Sequence, residues 1–227
     1  MANTLSNMKE EIHIAAATES ERVRIINAEH SNIKFMSNTS SNRKEEIQIA
    51  AAKLFMEKGF SACSVRDIAQ AVGLGAASLY NHMGSKDELL TTICFRCANE
   101  FLEGMKSIDA SGLNPEEKIK ALIRLQIRIA LNDKSSVTVF NDEWRHLQET
   151  HLTAFLELRR SYEKTYLRII REGIQNGVIR PAGDYLIYQL ILSSLRWLHM
   201  PNLKKNKLTE EELTEQITTI LIKGIAV

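Results

Sequence analysis

Between Ser64 and Leu90 the chain reads SVRDIAQAVGLGAASLYNHMGSKDELL, and this stretch carries the side chains best suited to meeting a polyanion. Val65, Ile68, Ala69, Val72, Leu74 and Leu79 are spaced as the small core of two short helices with a turn at Gly73. Ser64 stands ahead of the first helix with Asp67 three residues on, a pair that can satisfy the helix's free amides and complement its positive end. A second helix over Gly75–His82 would expose Ala76, Ala77, Ser78, Tyr80, Asn81 and His82. Small residues let a helix approach a groove closely, while hydroxyl, amide and imidazole groups bond to phosphates or base edges. Two short helices around a glycine turn, braced by longer helices, form a helix-turn-helix. Residues 43–86 hold six basic and four acidic side chains, so binding would rest on a few placed cations and helix ends, doubled in a dimer.

The elements that position this unit are all helical. Ile47, Ala51, Leu54 and Phe55 share one face of a helix from about Arg43 to Lys58, with Gly59 as its terminator. Ser85 caps a further helix running to about Lys106, with Asp87 and Glu88 in its first turn. Pro115 suits the start of a helix to Leu131. After a break at Asn132–Ser135, helices are predicted over Ser136–Glu149 and Leu152–Asn176. Asp184–Met200 is apolar nearly all round and reads as a central helix at a subunit interface. Thr209 caps the last helix, with Glu212 completing a capping box. With three prolines and ten glycines in 227 residues, the fold class is all-α.

The run GFSACSVRDIAQAVGLGAASLYNHMGSKDELL resembles the DNA-binding domain of TetR/AcrR-type transcriptional regulators, densely over Arg43–Leu89. The resemblance implies a three-helix DNA-binding domain over residues 36–90. It also implies a helical domain over 91–227 that binds a small effector and forms a homodimer. Carried over by position, Tyr80 and His82 contact phosphates, Ser64 touches the backbone, and Lys86 holds a phosphate at the N-terminus of the fourth helix. Ala76, Ser78 and Asn81 face base edges. Gly75 belongs to the same surface but stands where the family has a capping Ser or Thr; Cys63 replaces Thr and Met83 replaces Phe. The partners implied are double-stranded operator DNA, a small effector and a second copy of the chain. Helices at about 184–200 and 209–224 would pair in a four-helix bundle.

VFNDEWRHL, SYEKTYLRIIREGIQNGVIR and SSLRWLHMP are similar to the branch of the family that answers to acyl-CoA thioesters. Such a ligand needs an apolar tunnel and cations for its phosphates. Phe140, Trp144, Tyr166 and Trp197, with Leu147 and Leu195, are the candidates for the tunnel; Arg145, Arg196 and Arg159 are those for the anion. Arg196, inside an apolar helix, needs a partner, either a ligand or an ion pair with Asp142 or Glu143. The alternative is a multidrug-type sensor of an efflux gene, but pockets for cationic drugs favour acidic side chains, and the balance around 139–171 is basic and aromatic. A purely structural helical protein or an enzyme is the remote alternative. No phosphate-cradling glycine loop, nucleophile elbow or HExxH occurs, and no metal-ligand spacing involves His146, His151 or His199. No cofactor is expected.

A net charge of +1 gives no strong overall field pointing to nucleic acid or membrane, the lack of any apolar run of 18 residues argues against a membrane span, and the polar opening argues against a signal peptide. Cys63, Cys94 and Cys97 fit a reducing cytoplasm. Met1–Ala17 repeats Met36–Ala52 at thirteen of seventeen positions, but no second helix-turn-helix follows the first copy. Residues 1–35 are therefore expected to be an extension produced by partial duplication, with Met36 able to serve as a start.

Overall fold

The computed structural model of the chain describes residues 42–199 and 208–225. The first repeat copy, the extension and the basic loop at 204–207 lie outside the described residues. The described residues from Ile47 onward belong to one compact unit. Nine α-helices occur among the described residues, and every regular element there is helical. Helix α1 covers 42–58, α2 Val65–Ala71, α3 Ala76–Tyr80 and α4 Lys86–Asp109. These are followed by α5 (Pro115–Asn132), α6 (Lys134–Asp142), α7 (Glu149–Gln175), α8 (Asp184–Leu195) and α9 (Glu210–Ile225). Short 3₁₀ turns at Trp144–His146 and Arg196–His199 follow α6 and α8.

The caps explain where these helices start. Ser64 Oγ accepts from Asp67 N at 3.1 Å while Asp67 Oδ2 accepts from Ser64 N at 2.8 Å. Asn114 and Glu117 repeat that reciprocal arrangement at α5, with Pro115 in the first turn. Thr209 and Glu212 do so at α9. Ser85 Oγ accepts from Glu88 N at the start of α4. Gly73 turns the chain between α2 and α3 at φ 67°, a left-handed conformation that a Cβ disfavours.

Several boundaries differ from expectation. The predicted gap at Asn132–Ser135 shrinks to Asp133 alone, which ends α5 and caps α6 through Ser136 N at 3.0 Å. The predicted helix Ser136–Glu149 breaks at Glu143, because Trp144 stacks on Phe155 and His146 on Phe60, and Leu147 is extended. The predicted Asp184–Met200 helix is α-helical only to Leu195. It is also less enclosed than its composition suggests: Tyr185, Leu186 and Leu190 are more than half exposed, as is Ile220 on α9.

Two cores result. One gathers α1–α3 with Leu90, Ile93 and Cys94 of α4, and reaches Val139, Leu147 and Phe155 beyond. The other joins Met105 of α4 to α5, α7, α8 and α9 through Ile123, Ile127, Tyr166, Ile170, Ile191 and Leu213. Helix α4 therefore runs unbroken from one core into the other. No helix among the described residues is long and apolar enough to cross a membrane.

At the far end of α4, Asp109 receives Arg168 at 2.5 Å and Lys118 at 3.2 Å. The Arg168 guanidinium, with Lys118 adding to it, holds the Asp109 carboxyl below its usual value. A carboxyl depressed on folding stabilises above its unfolded pKa of about 3.9 and loses that contribution as pH falls through the folded value. Asp109→Asn should therefore lower the melting temperature at about pH 7 but much less at about pH 3. An equal loss at both values, read by circular dichroism, would contradict this. Gly173 lies where an added Cβ would sit 2.3 Å from Ile179 Cδ1 and 3.2 Å from Pro115 Cβ. Gly173→Ala should thus cost about 1–3 kcal/mol in urea unfolding; an unchanged midpoint would mean that the packed corner yields freely.

Candidate nucleic-acid interface and ligand cavity

The polar surface predicted for Gly75–His82 forms on a shorter helix than expected, Ala76–Tyr80. Gly75 precedes it in an extended conformation and offers no side-chain cap. Only Leu79 of α3 is buried, so this one side chain anchors the helix. Gly75, Ala76, Ala77, Tyr80 and Asn81 are exposed, while Ser78 and His82 are half-buried.

Two candidate phosphate contacts already have partners. Ser64 Oγ is engaged with Asp67, and Asp67 also receives Lys58 Nζ at 2.8 Å. Lys58 foremost, then Ser64, pushes the Asp67 carboxyl well below the usual range. Lys86 Nζ donates to the carbonyls of Phe60 and Cys63, both at 2.9 Å, and lies 4.2 Å from the Phe60 ring centroid. Two of its three donors thus tie the start of α4 to the turn after α1. Sequence reasoning assigned this lysine to phosphate; its first task in the fold is as a brace.

The 3₁₀ turn Trp144–His146 also reaches Phe60. The His146 ring stacks on Phe60 at 5.4 Å, and Glu143 Oε2 lies 3.4 Å from His146 Nε2. The segment after α6 therefore touches the same turn that Lys86 holds.

A cavity of about 240 Å³ opens between α4, α5, α6, α7 and α8. Its apolar wall includes Ala98, Phe101, Leu102, Phe140, Leu158 and Leu192. Gln126, Asn141, Tyr162, Tyr188, Gln189, Ser193 and His199 supply polar groups, and Arg159 and Arg196 supply charge. Among the described residues, no Asp or Glu lines it. Gln126 Nε2 donates to Tyr162 Oη at 2.9 Å, which leaves the phenol's own proton to donate. Burial pushes the Tyr162 phenol up, and Tyr188 to about 12, so both are neutral donors near neutral pH. Asn141 Nδ2 donates to Val137 O at 2.9 Å and faces His199 Nε2 at 3.4 Å. An NH₂ group in that place requires Nε2 to be an acceptor, and burial lowers the His199 pKa, so the imidazole is neutral.

Of the nine residues proposed for the ligand, Phe140, Leu195, Arg159 and Arg196 line this cavity. Arg196 Nη2 pairs with Asp142 Oδ1 at 2.7 Å, one of the two carboxylates expected for it. Tyr166 is instead sealed in the second core, with its hydroxyl buried and unpaired. Trp197 packs against that core too. Trp144 lies beside the cavity, stacked on Phe155, with Arg145 Cζ at 4.6 Å and Arg159 Cζ at 5.1 Å from its ring centroid. Arg145 packs on Trp144 and does not itself line the cavity. Burial, with Arg145 and Arg196 nearby, lowers the Arg159 pKa, the mark of a partly desolvated cation among like charges. Gln126, Tyr162, Asn141 and His199 were missed. A buried glutamine on the apolar face of α5 was the available signal, since such a group needs a partner.

Replacing Lys86 separates its roles. Lys86→Met keeps the stem but leaves two carbonyls without their donor, and should cost about 1–3 kcal/mol in urea unfolding. Unchanged stability with weakened DNA binding would instead make Lys86 a phosphate contact alone.

Residues 48–93 match the model of the family described as bacterial regulatory proteins, tetR family, and residues 112–225 match that of the tetracyclin repressor-like C-terminal domain. The chain is similar to the HTH-type transcriptional repressor KstR2 of Rhodococcus jostii strain RHA1, at 27% identity over 177 residues, covering 77% of this chain and 87% of that protein. The structure of the ketosteroid transcriptional regulator KstR2 of Mycobacterium tuberculosis aligns with a TM-score of 0.76 at 24% identity, covering 82% of this chain and 95% of that one. AibR, solved in complex with isovaleryl coenzyme A and operator DNA, aligns at a TM-score of 0.69 and 23% identity, covering 79% of this chain and 98% of that one. These last two likenesses establish the shared fold. With matches to both its N-terminal and C-terminal parts, the chain belongs to the tetR family of bacterial regulatory proteins.

Proposed function

We propose that the chain is a homodimeric, DNA-binding transcriptional repressor released from its operator by an anionic, acyl-bearing effector. Repression is supported by the likeness to KstR2, described as a transcriptional repressor. The exposed stripe on α3 supplies the surface for DNA. The exposed apolar side chains Tyr185, Leu186 and Leu190 of α8, with Ile220 of α9, suit a second copy of the chain.

The observation that carries the effector's chemistry is the wall of the cavity: among the described residues it holds the guanidinium groups of Arg159 and Arg196 and no carboxylate. Arg196 is already paired with Asp142, so the repulsion a cationic drug would meet, and the attraction an anion would gain, come chiefly from the partly desolvated Arg159. The apolar interior takes an acyl chain, and the free Tyr162 proton suits an ester or thioester carbonyl. A cavity of about 240 Å³ admits the acyl part alone, so coenzyme A phosphates would stay outside, near Arg159, Arg196 and Arg145. An occupant pressing on Phe101 and Leu102 displaces α4, and one pressing on Phe140 displaces α6 and the turn that stacks on Phe60. Release follows only if the ligand binds the displaced state more tightly.

The test is fluorescence anisotropy on DNA from the gene's own upstream region, at fixed salt because phosphate contacts make affinity salt-dependent. Acyl-CoA thioesters should raise the apparent Kd about tenfold or more, a coupling of about 1.4 kcal/mol. Arg159→Gln should blunt that response while leaving ligand-free DNA affinity intact. Release by a cationic dye and by no thioester would sink the anionic reading and favour the multidrug sensor.

A further inference from the structure

The α3 surface has a chemistry of its own. At roughly 100° per residue, Ala76, Ala77, Tyr80 and Asn81 fall on one continuous stripe. All four are exposed, and Leu79 points the opposite way into the core. Asn81 belongs to the stripe because it keeps a helical backbone, φ −71° and ψ −17°, just past the last residue of α3. From Gly75 to Asn81 there is no Arg, Lys, Gln, Asp or Glu. Nearby cations are committed elsewhere: Lys58 to Asp67, and Lys86 to two carbonyls. Arg66 stands on α2, the helix that flanks the DNA backbone in this motif.

Each base pair needs a particular partner in the major groove. Guanine is read best by a forked or cationic donor on O6 and N7, and cytosine by a carboxylate on its amino group. The stripe has neither. It offers two methyl groups, which suit the 5-methyl of thymine, one carboxamide, which suits adenine N6 and N7, and the Tyr80 hydroxyl, which the family resemblance places on a phosphate.

We infer that the half-site is specified by A·T pairs, with Ala76 and Ala77 packed on thymine methyl groups and Asn81 hydrogen-bonded to adenine. No guanine is read directly by α3. This rests on the reading of the chain as a DNA-binding regulator.

The experiment starts with the full-length protein and a pool of random-sequence duplexes, from which bound DNA is selected at fixed salt. The recovered half-sites should share A·T pairs at their contacted steps. Replacing those thymines with deoxyuridine removes only the methyl groups, and should weaken binding about threefold or more per half-site. Replacing the contacted adenine with 7-deazaadenine should weaken it about tenfold. Asn81→Ala, at an exposed position, should abolish the second effect and keep the first. Half-sites built on G·C pairs and sensitive to 7-deazaguanine would overturn the inference while leaving DNA binding standing, as would a selected site indifferent to deoxyuridine. Recovery of no preferred duplex would overturn both this inference and the DNA-binding reading beneath it.

Discussion

The structure depends on helix α4 being shared. Its first turns bury Leu90, Ile93 and Cys94 among α1–α3, and its last turns bury Met105 among α5 and the later helices. A rigid helix of 24 residues cannot bend to satisfy one core without moving in the other. Both ends are tied by charge. Lys86 gathers the carbonyls of Phe60 and Cys63 at one end, and Asp109 draws in Arg168 and Lys118 at the other. The cavity opens along the middle of this helix, at Ala98, Phe101 and Leu102, where neither tie reaches.

A second path runs beside it. Helix α6 sends Val137 into one core and Val139 into the other, with Phe140 packed against both. Beyond it, Trp144 rests on Phe155 and His146 on Phe60. The turn after α1 is thus held from α4 by an ammonium and from the later helices by an aromatic face. Coupling by packing of this kind is discrete rather than graded, because close-packed contacts have few alternative arrangements.

Much of this architecture could be read from the sequence where its causes are local. Ser64 with Asp67, Ser85 and Thr209 with Glu212 marked three helix starts, because a cap is a contact between residues three apart. The all-α class followed from long amphipathic runs. The break at Glu143 was illegible because it arises from ring contacts with Phe60 and Phe155, distant in the chain. The cavity was only partly legible for a related reason. Helical periodicity says that Phe140 and Tyr166 face inward, but not that one meets empty space and the other a filled core. For Arg196 the need for a partner was readable, while the choice of Asp142 over Glu143 depended on how α8 crosses α6.

Asp133 joins α5 to α6 with no linker, and Arg96 of α4 donates to the same carboxylate at 2.8 Å and to Ser136 Oγ at 2.9 Å. Three helices therefore meet at one junction, and none of Arg96, Asp133 and Ser136 lines the cavity. A joint that lies apart from the cavity keeps its contacts when the cavity is reshaped. Residues of the cavity wall can accordingly be exchanged without disturbing the seam that fixes α4, α5 and α6 to one another.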